Sequence, residues 1–582
     1  MNPKVLELKD WVDASTEKKA GLIAHKWWQM NNARQPWLDE QLELRNFIFA
    51  TDTSTTTNSD LPWKNSTTLP KLTQLRDNLH ANYLSTIMPN DSWMRWEGYS
   101  HEDSVKNKRD AIQFYMENKV RESNMRTTIS ELLLDYIDTG NAFGQVKFID
   151  ERSEDPETGE EIPGYVGPVI ERISPMDIAF DPTASRWNDT PSIVRKLCTL
   201  GDLEMMAEQY PEYQKMQEAV EKAKDIRRRT AFYSVDDFRK VTSLMVDGFG
   251  SWFDYLQSGH VEVLEFEGDL YDENSGTLMK NRRITVIDRA FVLAEEPIPS
   301  WFGKTTRFHV GWRNRPDNLY GMGPLNNLVG MQYRIDHLEN LKADVFDLVA
   351  FPPLKIIGDV EDFEWGPFSR IYIHDEMGDV QPLTVPVEAL NADTQIAMLE
   401  QRMEEYAGAP REAMGMRTPG EKTMYEVQAL ENAAGRIFQE KITNFEINFL
   451  EPALNAMLES ARRNMRSSDV IRVMDDQTGI QKFLSVSKED ITASGKLRPL
   501  GARHFAQNSQ TLQNITGLIN SGLGQLLAPH ISAKNLAKLA EDILGVSRYN
   551  IFSPNIAIDE QMETEEAMAA AQEEVQMTQV TE

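Results

Sequence analysis

Along residues 15–50, Leu22, Ile23, Trp27, Trp28, Trp37, Leu38, Leu42 and Phe47 recur every three or four positions, the period of one helical face. A Ser/Thr/Asn-rich loop follows at 51–68, and the same period predicts helices over 70–88, 103–122 and 126–138, the last stopped by Gly140. The pattern then changes to strands. AFGQVKFID (142–150) and YVGPVIERIS read as an antiparallel pair joined across an acidic turn, with an irregular crossing at 175–187. Helix returns over 200–228, and residues 259–315 read as a β-rich region.

After Tyr320 the period changes again. Leu325, Leu328, Ile335, Leu338, Leu341, Val345 and Leu348 lie at near-heptad spacing in a helix expected over 321–350, with Pro324 in its first turn and Phe351-Pro352-Pro353 ending it. A small β or αβ excursion (354–385) leads to a second helix at 387–408. The segment APREAMGMRTPGEKTMY (409–425) then opens a very long helix over 422–464, which Pro452 should bend because it removes a backbone donor. A β pair is expected within 470–500, helices near 505–520 and 532–544, and an acidic tail at 559–582. The fold class is therefore α+β and helix-rich, without repeats of fixed period.

Composition narrows the chemistry. The chain has 582 residues, enough for several packed regions, and a formal charge of −30, which argues against generic gripping of nucleic acid. Its single cysteine, Cys198, excludes an internal disulfide and reads as a buried, inert thiol. No apolar run has the length of a bilayer span, and the N-terminal residues lack the apolar core of a secretory signal. There is no G-x-x-x-x-G-K-[ST] phosphate cradle, no zinc spacing and no cofactor motif. His337 sits on the helix near the apolar stripe, where a structural histidine is expected. Carboxylates abound, and Asp475-Asp476 and Asp236-Asp237 are weak candidates for a metal-dependent nuclease or hydrolase, because adjacent carboxylates usually point apart and such pairs are frequent by chance in an acidic chain. Catalysis is expected to be absent.

Several stretches, in order, resemble the portal proteins of tailed double-stranded DNA bacteriophages, the head-to-tail connectors, most closely those of short-tailed phages. They are WKNSTTLPKLTQLRDNLHANYLSTIMPNDSWMRWEG, LLLDYIDTGNAFGQVKF, GPVIERISPMDIAFDPTA, NLYGMGPLNNLVGMQYRIDHLENLKADVFDLVAFPPL and EKTMYEVQALENAAGRIFQEKITNFEINFLEPALNAML. Together they cover most of residues 60–460; beyond that the likeness is one of position and helical character.

The resemblance implies a portal-type fold assembling as a ring of about twelve subunits at one capsid vertex, closed by head-to-tail contacts. It implies a wing (1–320), a first stem helix (321–350), a clip (351–386), a second stem helix (387–408), a tunnel loop (409–421), a long wing helix (422–464), a C-terminal wing and helical crown (465–558) and the tail (559–582). Leu328, Ile335, Leu338 and Val345 would pack the stem against neighbouring subunits. Lys355, Asp362, Trp365, Phe368 and Arg370 would face the packaging ATPase (terminase) and later the tail adaptors. Arg411, Met414, Gly415, Met416, Arg417 and Lys422 would face duplex DNA passing through the channel. Major capsid and scaffolding proteins complete the implied partners; no cofactor, metal or membrane is implied, and the location is the virion, after synthesis in the host cytoplasm. Another tail or internal virion component is the alternative.

The loop composition suits that role. Gly408, Gly415, Pro419 and Gly420 supply turns, and Met414 and Met416 are soft, adaptable side chains. Glu412 and Glu421 keep the neighbouring arginines from holding phosphate strongly. An acidic wall would let DNA slide, although charges more than about 8 Å away are screened at physiological salt.

Overall fold

The computed structural model describes residues 13–49, 67–88, 93–99, 103–209, 260–408, 437–474 and 481–499, apart from short stretches inside these spans, with residues 217–221 and 224. The chain divides into two compact units, one from residues 1–85 and 124–461, the other from 86–123 and 462–582.

The first unit starts with α1 (Asp13–Ala33), α2 (Gln35–Ile48) and α3 (Lys71–Ile87). The second unit then takes β1 (Met94–Gly98) and α4 (Asp103–Glu122). The first resumes at α5 (Met125–Asp138), followed by β2 (Asn141–Asp150), β3 (Ser153–Glu154), β4 (Glu161–Ile162), β5 (Val166–Ile173), β6 (Ile178–Phe180), β7 (Ser192–Thr199) and α6 (Leu200–Gln209). Next come β8 (His260–Asp272), β9 (Thr277–Ile287), β10 (Phe291–Pro297), β11 (Arg307–Gly311), β12 (Arg313–Arg315) and β13 (Asn318–Met322). Helices α7 (Val329–Ala350) and α8 (Asp393–Tyr406) bracket the hairpin of β14 (Leu354–Ile357) and β15 (Asp379–Pro382), and α9 (Glu451–Asn464) closes the unit. The second unit ends with β16 (Asp469–Met474), β17 (Gln481–Val486) and β18 (Gly495–Pro499).

Two antiparallel sheets organise the first unit, ordered β10-β9-β8-β7-β6 and β11-β2-β5. In β8, Leu264 and Phe266 face one way and pack under Ile23, Trp27 and Met30 of α1. The alternate residues Val261 and Val263 face the other way, with Leu203 of α6 over them. Further along that second face the residues become Glu265 and Glu267, 4% and 1% exposed, and they are covered by ions instead of apolar groups. Arg307 reaches Glu265 at 3.1 Å and the Ser192 carbonyl at 2.9 Å, Arg283 reaches Glu267 at 2.5 Å, and Thr306 donates to Glu267 at 2.8 Å. Burial opposes ionisation of both glutamates, but the fields of Arg307 and Arg283 overcome it and hold both below the usual carboxylate range.

A third cluster joins Phe143, Phe180, Val194 and Tyr320, with His309 stacked on Phe143 at 4.6 Å between ring centroids. Nε2 of His309 lies 3.0 Å from Asn141 Oδ1, so it carries the proton, since Asn141 Nδ2 donates to the Thr139 and Gly321 carbonyls. Desolvation pushes the pKa of His309 down to about 3. A pKa below the unfolded value near 6.5 stabilises the fold above pH 6.5, and that contribution is lost as pH falls toward 3. Asp135 acts oppositely: burial lifts it to about 6 against its bidentate bond to Arg172 (2.6 and 2.7 Å), so the folded state gains a proton first. Lowering the pH from 7 to 5 should therefore move the urea midpoint more favourably in His309→Phe, where the gain at Asp135 is unopposed, than in the parent chain; an identical shift in both would show that His309 is not responsible.

Most elements match the sequence expectation, with instructive departures. The helix read over 15–50 is two, because Pro36 lacks an N–H and starts a new helix at Gln35. Strands β6 and β7 were not anticipated. The first helix after Tyr320 begins at Val329, since Asn318–Met322 is a strand and Asn326–Leu328 a 3-10 turn, so Pro324 precedes the helix. The second is shorter than 387–408, spanning Asp393–Tyr406. The long helix is described from residue 437 and widens into a π turn at Glu446–Leu450, immediately before Pro452. Gly140 ends α5 as expected, at φ +72°. In the second unit β16 and β17 pair as read, and β18 pairs with β1, where Trp96 crowds Gly495 so closely that only glycine fits. The helices expected near 505–520 and 532–544 and the acidic tail lie outside the described residues.

Candidate assembly surface

Helix α7 has its polarity turned around. Gln332, Asp336, Asn340 and Asp344 recur every fourth residue on one face and are 0–1% exposed. The next row, Tyr333, His337, Leu341, Val345 and Val349, is half-buried or exposed, and Phe346 and Phe351 at the C-terminal end are 63% and 64% exposed. A solvated helix normally presents the opposite arrangement.

Three members of the polar row, Gln332, Asp336 and Asn340, accept from main-chain N–H groups, while one carboxylate oxygen each of Asp336 and Asp344 is buried without a hydrogen bond. Asn340 Oδ1 accepts from Thr67 N at 2.7 Å, Asp336 Oδ1 from Leu69 N at 2.9 Å and Gln332 Oε1 from Leu72 N at 3.2 Å. Gln332 Nε2 donates to the Leu69 carbonyl at 2.5 Å and to Asp336 at 2.9 Å. Burial raises the pKa of Asp336, and the Leu69 N–H and Gln332 work against that. Leu72 lies in the first turn of α3, where backbone N–H groups have no partner within the helix, so Gln332 caps α3 from outside. Lys71 completes the arrangement with a buried ion pair to Glu404 of α8 at 2.7 Å.

The β14–β15 hairpin is antiparallel, Leu354 opposite Pro382 and Ile357 opposite Asp379, and is extended by a bridge from Val360 to Ile373. Ile356, Ile357, Tyr372, Ile373, Met377 and Leu383 are exposed on it. Among the described residues, more than half of the exposed large apolar side chains fall between Tyr333 and Tyr406. Such a concentration is characteristic of a surface meant to be covered.

The residues singled out from the sequence distribute as follows. Leu328, Ile335 and Leu338 are buried within the single chain and so are not in the outward row, whereas half-buried Val345 lies in it. Heptad spacing shows that a helix has an apolar stripe without showing what covers it, and here the chain's own elements do. Tyr333, Leu341, Phe346 and Val349 are the side chains left facing out; the sequence signal for them was a second apolar row one position after the polar one. Lys355 and Arg370 are exposed, whereas Asp362, Trp365 and Phe368 lie outside the described residues. So do Arg411, Met414, Gly415, Met416, Arg417 and Lys422; Gly408, at φ +72°, closes α8 just before them. His337 stacks parallel to Tyr333, with centroids 6.3 Å apart. Cys198 is half-buried, where full burial was expected, and desolvation raises its pKa.

Among the described residues no group of His, Cys, Asp and Glu is arranged to hold a metal, and no helix is long and apolar enough to cross a membrane. Asp236, Asp237, Asp475 and Asp476 lie outside the described residues. No protein-family model matches the chain, and no curated protein is significantly similar to it.

Proposed function

We propose that the chain is the subunit of a portal ring of a tailed double-stranded DNA bacteriophage, a structural conduit for DNA during packaging and ejection and not an enzyme. The observation that carries this reading is the hairpin α7–β14–β15–α8, which exposes an apolar row and an apolar β tip in a single chain. In the proposal α7 and α8 are stem helices, residues 351–386 the clip that meets a packaging ATPase and then tail adaptors, and 409–421 the loop beside DNA. Capsid and scaffolding proteins surround it in the virion. The net charge of −30 supports a wall that does not grip phosphate.

Neighbouring subunits would cover Tyr333, Leu341, Phe346 and Val349. Burying each such side chain contributes about 1.5–3 kcal/mol, so a carboxylate in its place should forbid closure. Negative-stain images and mass photometry of the parent protein should show annular oligomers of about twelve subunits. Phe346→Asp with Val349→Asp should give folded monomers, since both sites are exposed in the isolated chain. A parent protein that stays monomeric at high concentration would overturn the reading.

A further inference from the structure

The ion network around Glu265 and Glu267 leaves two buried polar atoms out. Gln145 of β2 and Arg307 of β11 stand directly opposite each other in the antiparallel register, and both are fully buried. Among the described residues, neither Gln145 Oε1 nor Arg307 Nε has a hydrogen-bonding partner, whereas the other nitrogens of the two side chains are all engaged. We propose that the pair forms the binding site of a single internal water molecule, which accepts from Arg307 Nε–H and donates to Gln145 Oε1.

The two side chains converge. Gln145 Nε2 and Arg307 Nη2 both meet Glu265 Oε1, at 3.2 and 3.1 Å, and each unused atom is only two covalent bonds from the nitrogen engaged there. Neither group can turn to satisfy itself. An inverted Gln145 amide would set its oxygen against the Glu265 and Glu267 carboxylates, and against Thr306 Oγ1, whose hydrogen already goes to Glu267 at 2.8 Å. The terminal nitrogens of Arg307 are committed to the Ser192 carbonyl and hydroxyl and to the Glu265 carbonyl and carboxylate.

The ligand class follows from what is unmet. One donor and one acceptor call for a small neutral group that does both. A metal cation would meet the charges of Arg307 and Arg283, and an anion would meet the carboxylates of Glu265 and Glu267. Water suits both ends, and the Glu265 carboxylate lies beside the site for its second hydrogen. Directly opposed residues start about 4.5–5.5 Å apart at Cβ, the scale of a bridge through one oxygen. Buried donors and acceptors are costly when left unmet, and internal waters lodge where such atoms come together. The bound water thereby completes the joint that Gln145 makes between the β11-β2-β5 sheet and β8.

A crystal structure of the full chain, in whatever oligomeric form it adopts, tests this if it shows ordered waters. A discrete peak should lie about 2.7–3.2 Å from both Arg307 Nε and Gln145 Oε1. Crystals soaked in bromide should give no anomalous signal at that peak. Gln145→Met, which keeps the length of the side chain and removes its amide, should lose the peak. Thr305→Ala, which removes a bond to the other oxygen of Glu267, should keep it. The proposal is overturned if the parent shows no peak, if Arg307 Nε and Gln145 Oε1 bond each other or other protein groups, if bromide occupies the position, or if the peak survives in Gln145→Met. Should Gln145→Met fail to fold, the parent crystals and the bromide soak still decide. A monomeric parent would sink the ring reading and leave this measurement intact.

Discussion

Arg307→Met should lower the stability of the first unit by about 3–5 kcal/mol, the usual consequence of removing one member of a buried ion network and leaving its partners behind. Arg307 is fully buried and binds the Glu265 side chain and carbonyl as well as Ser192, so the variant strands a carboxylate and two main-chain acceptors at once. Arg283 and Lys196 would remain near Glu265, each at 3.7 Å, too far to replace the lost hydrogen bonds. Urea denaturation followed by tryptophan fluorescence reads the effect, because Trp187 donates its indole N–H to the Arg307 carbonyl at 2.8 Å and reports on this joint. Glu265→Leu in the Arg307→Met background should recover part of the loss, since it removes the carboxylate that Arg307 no longer neutralises. A single variant within about 0.5 kcal/mol of the parent would mean that the seam is hydrated and its ions are not buried in solution.

Gly140→Ala should be nearly as damaging, by a different route. Gly140 has φ +72°, a conformation that costs a residue with a Cβ about 1–2 kcal/mol. The added atom would also lie 2.2 Å from the Gly323 backbone nitrogen and 2.4 Å from the Met322 carbonyl carbon, neither of which can move like a side-chain tip. Overpacking of that kind costs a further ~1–3 kcal/mol. The site matters because the Gly140 carbonyl accepts from Trp312 N at 2.9 Å while Asn141 holds Gly321 at 2.7 Å. This knot of main chain sets where β13 ends and hence where α7 sets out. Circular dichroism melting should show an early loss of the first unit, and Gly330→Ala serves as a control, since its added methyl meets nothing within 4 Å. Equal melting of the two variants would show that the glycine junction is not tight.

Much of the fold was legible because it rests on local physics. The 3.6-residue period located α3, α4, α5 and α7, and the glycine after Thr139 marked the helix end, since only a residue free to take positive φ reverses the chain there. Pro452 announced the disturbance that appears as the π turn at Glu446–Leu450. Where the reading fell short, two local signals competed. Pro36 was outweighed by the continuous apolar period around it. In β7, Arg195 and Lys196 broke the expected alternation, because their partners Glu262 and Glu265 come from β8, more than sixty positions away in the chain.

Residue by residue, the amino-acid order determined the kinds of element, their sequence and the presence of an unusual helix–hairpin–helix excursion after Tyr320. It could not determine which stripe of α7 is covered. Gln332, Asp336 and Asn340 look like a solvent face until residues 67–72 supply three N–H groups to them, and Tyr333, Leu341 and Val349 look like core although none of the described elements covers them. Likewise Glu265 and Glu267 look like the wet side of a strand until Arg307 and Arg283 are folded onto them. Periodicity encodes the geometry of a single element, whereas burial depends on what distant chain is brought against it. Only the tertiary structure decides that.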